Sequence, residues 1–340
     1  MIYPLEKRVE QSWSPAKWKD HRICIAVSGG ADSVSLFCSM VRIARKHDLL
    51  SHLFAGHINH GARGKESDED ALFVQDLTRR YDVPCFTLRL DSEELARKGA
   101  ELGSWENAAR ILRYQYLQKC AEEQGARYLL TAHTADDQLE TILHRLFRGT
   151  GMEGLRAIPR IRPLNDAIVL VRPLLDLNRS DITDYLRSLD QPFRTDSSNS
   201  VPLYTRNQIR LELIPVLERI FPNRWKKSLL RLSRLSEQIG EILSDKLQDL
   251  KENAVHGDLP RSCRVIVSRL DQEPEYIINE FFRSLWKEKN WPLGQMGQKQ
   301  WNRLSEMIRS QEECRMEFPD GIVARRIDGV IELRDSTDMK

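Results

Sequence analysis

The chain has 340 residues, of which 30% are charged and 7% aromatic, and its formal net charge is +2. That length suffices for two domains with a core each, and the small net charge means that a nucleic-acid partner has to be inferred from local patches. The six cysteines form no C-x-x-C pair, the N-terminus lacks a signal peptide and no apolar run approaches the roughly 20 residues of a membrane span, so we expect a cytoplasmic protein with no membrane partner and no zinc or iron–sulfur site.

A strand, a tight turn and a helix are the first elements predicted. The apolar run 23–27 has the length and branching of a buried strand, and apolar residues recur at helical spacing over 31–47. Glycines between them allow the backbone to approach an anion, and a helix start offers unpaired N–H groups with about half a positive charge. We therefore predict a phosphate-binding loop of Ser28, Gly29, Gly30, Ala31, Asp32 and Ser33.

This loop matches neither G-x-x-x-x-G-K-[ST] nor G-x-G-x-x-G, since no Lys follows the glycines. Asp32 would repel a polyphosphate unless a cation lay between them, which implies Mg²⁺. The alternative is an ordinary strand-to-helix turn in which Asp32 caps the helix.

The next elements alternate between strands and helices. Strands are predicted at 53–59, 84–90, 127–132 and 167–174, and helices at 67–81, 105–123, 136–147 and 180–189. This alternation predicts an α/β fold with a doubly wound parallel sheet, whose ligands bind beyond the carboxyl ends of the strands. The polar stretches 28–33, 57–63 and 133–140 each follow a strand and should converge. Trp13 and Trp18 are expected to pack the polar lead-in onto this domain.

A boundary is predicted after residue 222, giving domains 1–222 and 223–340. The second contains a long amphipathic helix over 224–252, helices at 275–289 and 296–309, and strand-like runs at 263–270, 315–318 and 322–333. It should be a smaller, mainly helical α+β domain.

The stretch 131–141 carries the residues best suited to chemistry. Asp137 and Glu140 would share one helix face, and with Asp32 they could hold Mg²⁺. Helix capping and solvated acids are the alternative. His133 could act as a general acid/base or donate a hydrogen bond to phosphate.

Several further polar residues have two readings. His57 and His60 are expected to be loop hydrogen bonders, with Asn59 and Arg63 facing the ligand. Arg110 and Arg113 can lie on one helix side with Glu106, either to neutralise phosphate or as a surface pair. Basic residues are enriched over 142–179 and 203–234, which is consistent with an RNA footprint or with a solvated helix face.

Taken together, the motifs are similar to those of the tRNA(Ile)-lysidine synthetase family, within the N-type ATP pyrophosphatase (PP-loop) superfamily. The resemblance spans roughly 22 to 216, with Ala62 where the family usually has Leu, and the extra terminal domain of longer members is not expected. Its blocks are SGGADS (28–33), HINHGAR (57–63), ENAAR (106–110) with Arg113-Tyr114, TAHTADDQLET (131–141), RLFRGTGMEGL (145–155), RPLL (172–175), DSSN (196–199) and YTRNQIR (204–210).

The resemblance implies an adenine nucleotide α-hydrolase-like fold and an ATP-dependent ligase. The wobble cytidine of a CAU-anticodon tRNA(Ile) would be adenylated and then joined to free L-lysine, giving lysidine, AMP and pyrophosphate. It implies ATP and Mg²⁺, a tRNA-binding C-terminal domain, and it allows a homodimer.

The family's residue roles carry over to this chain by motif. The resemblance implies catalytic roles for Asp137, His133 and Arg113, ATP binding by 28–33 and Asn59, and Mg²⁺ binding by Asp32, Asp137 and Glu140. Contacts to tRNA or substrate would come from Arg110, Arg206 and Asn207. The basic region 203–234, and not the resemblance, adds Arg224, Lys226 and Lys227 to these contacts.

Three other functions stay open. A tRNA thiolase of the same superfamily would need a persulfide cysteine or a C-x-x-C cluster, and a small-molecule amide ligase would not need the basic regions. A non-catalytic ATP-binding regulatory module would not need Asp137 and Glu140 on one face.

Overall fold

This computed structural model describes residues 3–59, 65–194, 205–222, 224–259 and 261–335. The chain divides into two units, 1–236 and 237–340. The boundary falls after Ser236, whereas the sequence predicts it after 222, because the first turns of the helix Arg224–Ala254 belong to the first unit, where Trp225 packs with Leu139 and Leu143.

The first unit is built on a six-stranded sheet with the order β3–β2–β1–β4–β6–β5. Its strands are β1 (Arg22–Ala26), β2 (Leu53–Asn59), β3 (Cys85–Arg89), β4 (Ala126–Leu130), β5 (Ile161–Pro163) and β6 (Val169–Val171). All neighbours are parallel except the edge pair β5 and β6. Since β2 and β4 lie on opposite sides of β1, a crevice for a ligand is expected beside the carboxyl end of β1.

Helices cover both faces of this sheet, which confirms the doubly wound prediction. One core contains residues of α1 (Pro4–Ser12), α2 (Ala31–Lys46), α3 (Lys65–Arg80) and α8 (Arg179–Ser188). The other contains residues of α4 (Ser92–Leu102) and α5 (Trp105–Glu123). Trp13 and Trp18 are buried and stacked with their ring centroids 5.7 Å apart, so the lead-in is packed on the domain as predicted.

Further helices follow β4 and β6 within the first unit. They are α6 (Ala135–Phe147), α7 (Met152–Leu155), α9 (Thr205–Gln208), a π-helical turn (Ile209–Leu213), α10 (Ile214–Ile220) and the start of α11 (Arg224–Ala254). Leu139 and Leu143 of α6 form a separate small core with Ile209 and Trp225. This core seats the helical segment 205–220 against α6, beside the strand ends.

The second unit contains an antiparallel sheet with the order β7–β8–β11–β10–β9. Its elements are β7 (Val255–Leu259), β8 (Ser262–Ile266), α12 (Glu275–Glu288), α13 (Gln298–Arg309), β9 (Cys314–Glu317), β10 (Ile322–Ile327) and β11 (Val330–Asp335). Trp286 and Trp301 lie in its core together with Leu247 and Leu250 of α11. The α+β prediction is confirmed. Over the ranges that the structure describes, no helix has the length and apolar character of a membrane span.

Candidate functional site

A cavity of about 450 Å³ opens in the first unit where β1, β2 and β4 end. Its wall includes Ser28 and Asp32 after β1, His57 and Asn59 of β2, and His133 after β4. The predicted convergence of the three polar stretches is therefore confirmed for their described parts. His60 and Arg63 of the middle stretch lie outside the described residues.

The turn after β1 has the geometry of an anion-binding loop. Gly29 adopts φ +94°, a left-handed conformation that favours glycine, and Gly30 is the N-cap of α2 but has no side chain to cap it. The first N–H groups of α2 are thus available to a ligand. Ser33 braces the turn, because its hydroxyl accepts from the Ser28 N–H at 3.1 Å and donates to the Gly30 carbonyl at 2.9 Å.

His57 of β2 supports this turn, and Asn59 of the same strand lines the cavity. The Nδ1 atom of His57 lies 2.8 Å from the Val27 carbonyl oxygen, which can only accept, so Nδ1 carries the proton. Burial lowers the pKa of His57, and its predicted role as a hydrogen bonder is confirmed. Asn59 lines the cavity, and its amide donates to Asp68 Oδ1 at 2.8 Å.

Asp32 and Asp137 both line the cavity. The pKa of Asp32 is raised to about 6, first by burial and then by the negative charge of Asp137, while the positive charge of Arg179 opposes the shift. Asp137 accepts from the Thr134 N–H through Oδ2 at 2.9 Å and from Arg206 Nη2 through Oδ1 at 3.0 Å. Two neighbouring carboxylates of which one is hard to ionise fit a divalent cation, since such an ion favours both negative charges.

Glu140 is the third carboxylate of the predicted Mg²⁺ site, and its surroundings differ from those of Asp32 and Asp137. It is 2% exposed and does not line the cavity. Its Oε1 accepts from Arg210 Nε at 2.6 Å, and its Oε2 accepts from Arg206 Nε at 2.9 Å and from Arg210 Nη2 at 3.0 Å. It shares a helix face with Asp137 as predicted, but the segment 205–220 covers that face with arginines.

No trio of His, Cys, Asp or Glu side chains able to hold a metal ion occurs in the described part of the chain. A Mg²⁺ site formed by Asp32, Asp137 and Glu140 stays a prediction, and of the three only Asp32 and Asp137 are described lining residues of the cavity.

His133 lies within hydrogen-bond distance of Thr131, with Nδ1 and Oγ1 3.1 Å apart. Its pKa is lowered to about 3, first by burial and then by the charges of Arg172, Arg113 and Arg206. The ring is therefore neutral near pH 7. This favours the predicted hydrogen-bonding role over that of a general base.

The other predicted site residues divide between the cavity and the surface. Arg113 lines the cavity, whereas Arg110 is exposed and Asn207 is half-buried on α9, both outside the described lining. Three basic residues at the start of α11 also lie outside that lining: Arg224, Lys226 and Lys227. The Lys226 ammonium is 3.7 Å from Glu218 and 5.6 Å from the centroid of the Trp225 ring.

Part of the basic region 142–179 serves the protein's own backbone. Arg145 Nη1 donates to the carbonyls of Gly154 and Ala157 at 3.0 and 3.1 Å. Arg160 binds Asp176. These side chains hold the connection between α6 and β5 in place, so the enrichment in arginine is only partly available to a ligand.

Three charged residues of the cavity wall were not identified as site residues from the sequence. Arg179 begins α8, where its N–H donates to Asp136 Oδ2 at 2.9 Å; the sequence shows it only as one arginine of a basic region. Asp70 and Arg194 also line the cavity, and Arg194 Nε donates to Asp70 Oδ1 at 2.9 Å. The Arg194 N–H donates to the Gly29 carbonyl at 2.9 Å, which ties a distant part of the chain to the loop. No local pattern marks that contact.

The cysteines lie away from this site. None of the six is a described lining residue of the cavity, and none forms a disulfide bond in the described structure. Burial raises the pKa of the Cys38 thiol to about 11, so that thiol resists forming the reactive thiolate.

Comparison with known proteins gives the same picture. Residues 2–217 match the family described as the PP-loop domain. The chain is 27% identical over 357 residues to a tRNA(Ile)-lysidine synthase of Rhodopirellula baltica, covering 96% of this chain and 89% of that protein. It is 36% identical over 266 residues to a tRNA(Ile)-lysidine synthase of Bacteroides thetaiotaomicron, covering 78% of this chain and 58% of that protein. It thus spans most of one relative but less than two thirds of the other.

Among solved structures, the U34-tRNA thiolase NcsA from Methanococcus maripaludis, determined with its [4Fe-4S] cluster, is similar in fold. The TM-score is 0.53 at 16% sequence identity, over 68% of this chain and 78% of that chain. At this identity the similarity shows the fold alone.

Proposed function

The chain belongs to the PP-loop domain family, and from that membership we propose that it is an ATP-dependent tRNA(Ile)-lysidine synthase. Its resemblance to such synthases, predicted from the motifs, is confirmed by the two bacterial relatives. The observation that carries the proposal is that the loop 28–33, which includes Asp32 and leads into a helix with no side-chain N-cap, lines the same cavity as Asp137.

The first step is adenylation of the RNA base. The C2 oxygen of the wobble cytidine attacks the α-phosphorus of ATP, and the bond from that phosphorus to the pyrophosphate oxygen breaks. The N–H groups at the start of α2 stabilise the charge that collects on the departing pyrophosphate. Asp32 and Asp137 would hold a Mg²⁺ ion, which when bound neutralises phosphate charge.

The second step transfers lysine. The ε-amine of free L-lysine attacks C2 of the base, the bond from C2 to the adenylated oxygen breaks, and AMP leaves. The amine has to lose a proton to act as a nucleophile, and Asp137, whose carboxylate lines the cavity, is the group we assign to receive it. Neutral His133 donates or accepts a hydrogen bond in the same space without adding charge.

Lysine as the second substrate, the CAU anticodon and Mg²⁺ are the finer parts of this proposal. A cytoplasmic location and a homodimer stay predictions. The thiolase alternative has no support in the described site, because the cysteines lie outside the described lining of the cavity.

Pyrophosphate release in the presence of ATP and Mg²⁺ tests the proposal. We expect release that requires a CAU-anticodon tRNA(Ile). With lysine present, [¹⁴C]lysine should appear in the tRNA and AMP should be released. Asp137→Asn retains an oxygen that can cap α6, so it should stay folded but lose at least 100-fold in lysine incorporation.

Asp76→Asn, on the exposed side of α3, is the matched control and should behave as the wild type. Lysine incorporation at the wild-type rate by the Asp137 variant would refute its role. Pyrophosphate release that does not depend on the tRNA, or release of more than one pyrophosphate per tRNA without lysine, would refute the assigned reaction.

A further inference from the structure

The arginines around the cavity differ in how their charge is balanced. Arg206 and Arg210 face Asp137 and Glu140 and form ion pairs with them. Arg162 and Arg172 lie on the side of His133 and Tyr114, and neither forms an ion pair with a described carboxylate. One side of the site thus carries positive charge that the described residues leave uncompensated.

Arg172 belongs to the Arg-Pro-Leu-Leu motif and directly follows β6. It is 3% exposed. Its Nη1 donates to the Pro159 carbonyl at 2.6 Å, its guanidinium lies next to the Tyr114 hydroxyl, and its Nε is buried without a partner. A neutral amide could donate to the Pro159 carbonyl without burying a charge. Burying the guanidinium costs desolvation free energy that a purely structural role would not require.

The guanidinium of Arg172 limits how the adjacent Tyr114 hydroxyl can be used. A guanidinium is a donor only, so toward Arg172 the Tyr114 oxygen can only accept, and its own O–H stays available for another acceptor. Tyr114 lines the cavity. Arg113 and Arg162 both lie near its ring, with their Cζ atoms 5.9 and 6.0 Å from the centroid.

A phosphate is the ligand that this arrangement suits. A phosphate accepts hydrogen bonds through several oxygens, and it matches the planar fork of a guanidinium. Its negative charge would balance the positive charges of Arg162 and Arg172. The α-carboxylate of free L-lysine would satisfy the charge as well, so binding of RNA, ATP and AMP measured without lysine has to distinguish a phosphate from it.

We propose that the Tyr114 hydroxyl and the Arg162 guanidinium form a phosphate-binding subsite beside the cavity, with Arg172 as the buried residue that positions Tyr114. This rests on the proposed function, which brings two phosphates to the site: the phosphodiester of the RNA next to the reacting nucleotide, and the α-phosphate of ATP.

Equilibrium binding to the full-length chain distinguishes the two sources. The variants are Tyr114→Phe and Arg162→Gln, which remove one hydroxyl and one exposed side chain, and Arg172→Gln. The controls are Tyr116→Phe on the same helix, whose hydroxyl binds Glu94, and Arg187→Gln, an exposed residue of α8. Each is titrated with a 17-nucleotide CAU anticodon stem-loop at several KCl concentrations and, separately, with ATP and AMP.

If the phosphate is that of RNA, Tyr114→Phe and Arg162→Gln weaken stem-loop binding five- to twenty-fold and leave ATP and AMP binding unchanged. Arg162→Gln also reduces the slope of log K against log [KCl] by about 0.7, the value for one phosphate of a single strand. If it is the α-phosphate, ATP and AMP binding weaken and the RNA slope stays. In either case Arg172→Gln should reproduce the effect of Tyr114→Phe, and Arg172→Gln combined with Tyr114→Phe should add little.

Unchanged binding of RNA, ATP and AMP in both Tyr114→Phe and Arg162→Gln would overturn the subsite. Should Arg172→Gln fail to fold, the other two variants still decide the question. The titrations contain no lysine and need no turnover, so they judge the subsite even if the chain makes no lysidine. Lysidine formation with unchanged binding in both variants would overturn the subsite and leave the proposed function intact.

Discussion

His133 stands among arginines, and its surroundings set its chemistry more firmly than its residue type does. An isolated histidine titrates near pH 6.5, whereas burial and the charges of Arg172, Arg113 and Arg206 bring its pKa to about 3. The sequence shows that His133 stands shortly before the acids of α6. It does not show that arginines from three other segments keep that histidine neutral.

The acid sensitivity of the protein should therefore depend on His133. Its folded pKa lies below its unfolded value, so above pH 6.5 both states are neutral, and below pH 6.5 the unfolded chain gains a proton that the folded site refuses. Stability should fall by on the order of 1 to 2 kcal/mol between pH 6.5 and 5. Asp32, with a raised pKa of about 6, contributes the opposite sign, since the folded state takes up that proton first as the pH falls.

Comparing urea unfolding of the wild type and His133→Asn at pH 7 and pH 5 isolates the histidine, because Asp32 is common to both. We expect the variant to lose less stability on acidification. His256→Asn, at an exposed position of the second unit, serves as the control. A [¹³C]histidine titration that shows His133 gaining its proton near pH 6.5 would contradict the shift.

At the scale of elements, the loop 28–33 depends on one backbone conformation. Gly29 has φ +94°, and a Cβ added there would lie 3.5 Å from Phe73 and 3.6 Å from Arg194, which is ordinary contact. Gly29→Ala should therefore strain the backbone without a clash, costing about 1 to 2 kcal/mol. Relief of that strain would displace the N–H groups that bind phosphate, so we expect ATP affinity to fall about ten-fold.

Gly103→Ala is the matched control, since Gly103 also has a positive φ but closes α4 with no atom within 4 Å of an added Cβ. It should lower the melting temperature about as much and leave ATP binding unchanged. Equal loss of ATP affinity in both variants would show that the loop has no special role.

The start of α11 is the element proposed to contact tRNA. Replacing Arg224, Lys226, Lys227 and Arg231 with glutamine should weaken tRNA binding and flatten its salt dependence. Binding with fewer phosphate contacts releases fewer counterions from the RNA. The control is Arg79, Lys119 and Arg187, three exposed residues next to acids one turn away, changed to glutamine in the same way. A slope that moves equally in both sets would mean that general charge, and not α11, governs binding.

The elements also show what a sequence can reveal. The parallel strands of the first sheet are predictable because each is a short run of branched or apolar residues between polar turns. The edge strand Ile161–Pro163 was missed, since three exposed residues with an arginine and a proline carry no strand pattern. Contacts such as that of Arg194 with Gly29 join positions far apart in the chain, and no local periodicity encodes them.

For the whole molecule, two cores predict two separable responses to destabilisation. Trp301 is 1% exposed and packs against Trp286 with ring centroids 5.6 Å apart, within the core of the second unit. Trp301→Ala should cost that unit about 3 to 5 kcal/mol. ATP binding should be unaffected, because every described lining residue of the cavity belongs to the first unit.

Calorimetric melting with and without ATP is the measurement. We expect the Trp301 variant to lower one transition, and ATP to raise the other in both proteins. A single transition that Trp301→Ala lowers and ATP raises would show that the two units unfold together.

The contact of two arginines with Glu140 has a consequence for how this region can change over evolutionary time. Glu140 is 2% exposed while its partners Arg206 and Arg210 are partly solvated, so the need for pairing is one-sided. Losing either arginine leaves the carboxylate still neutralised by the other, whereas losing both strands a buried negative charge. A substitution at 206 or 210 alone therefore leaves the charge of Glu140 neutralised. A chain that has already lost one of these arginines has to retain the other.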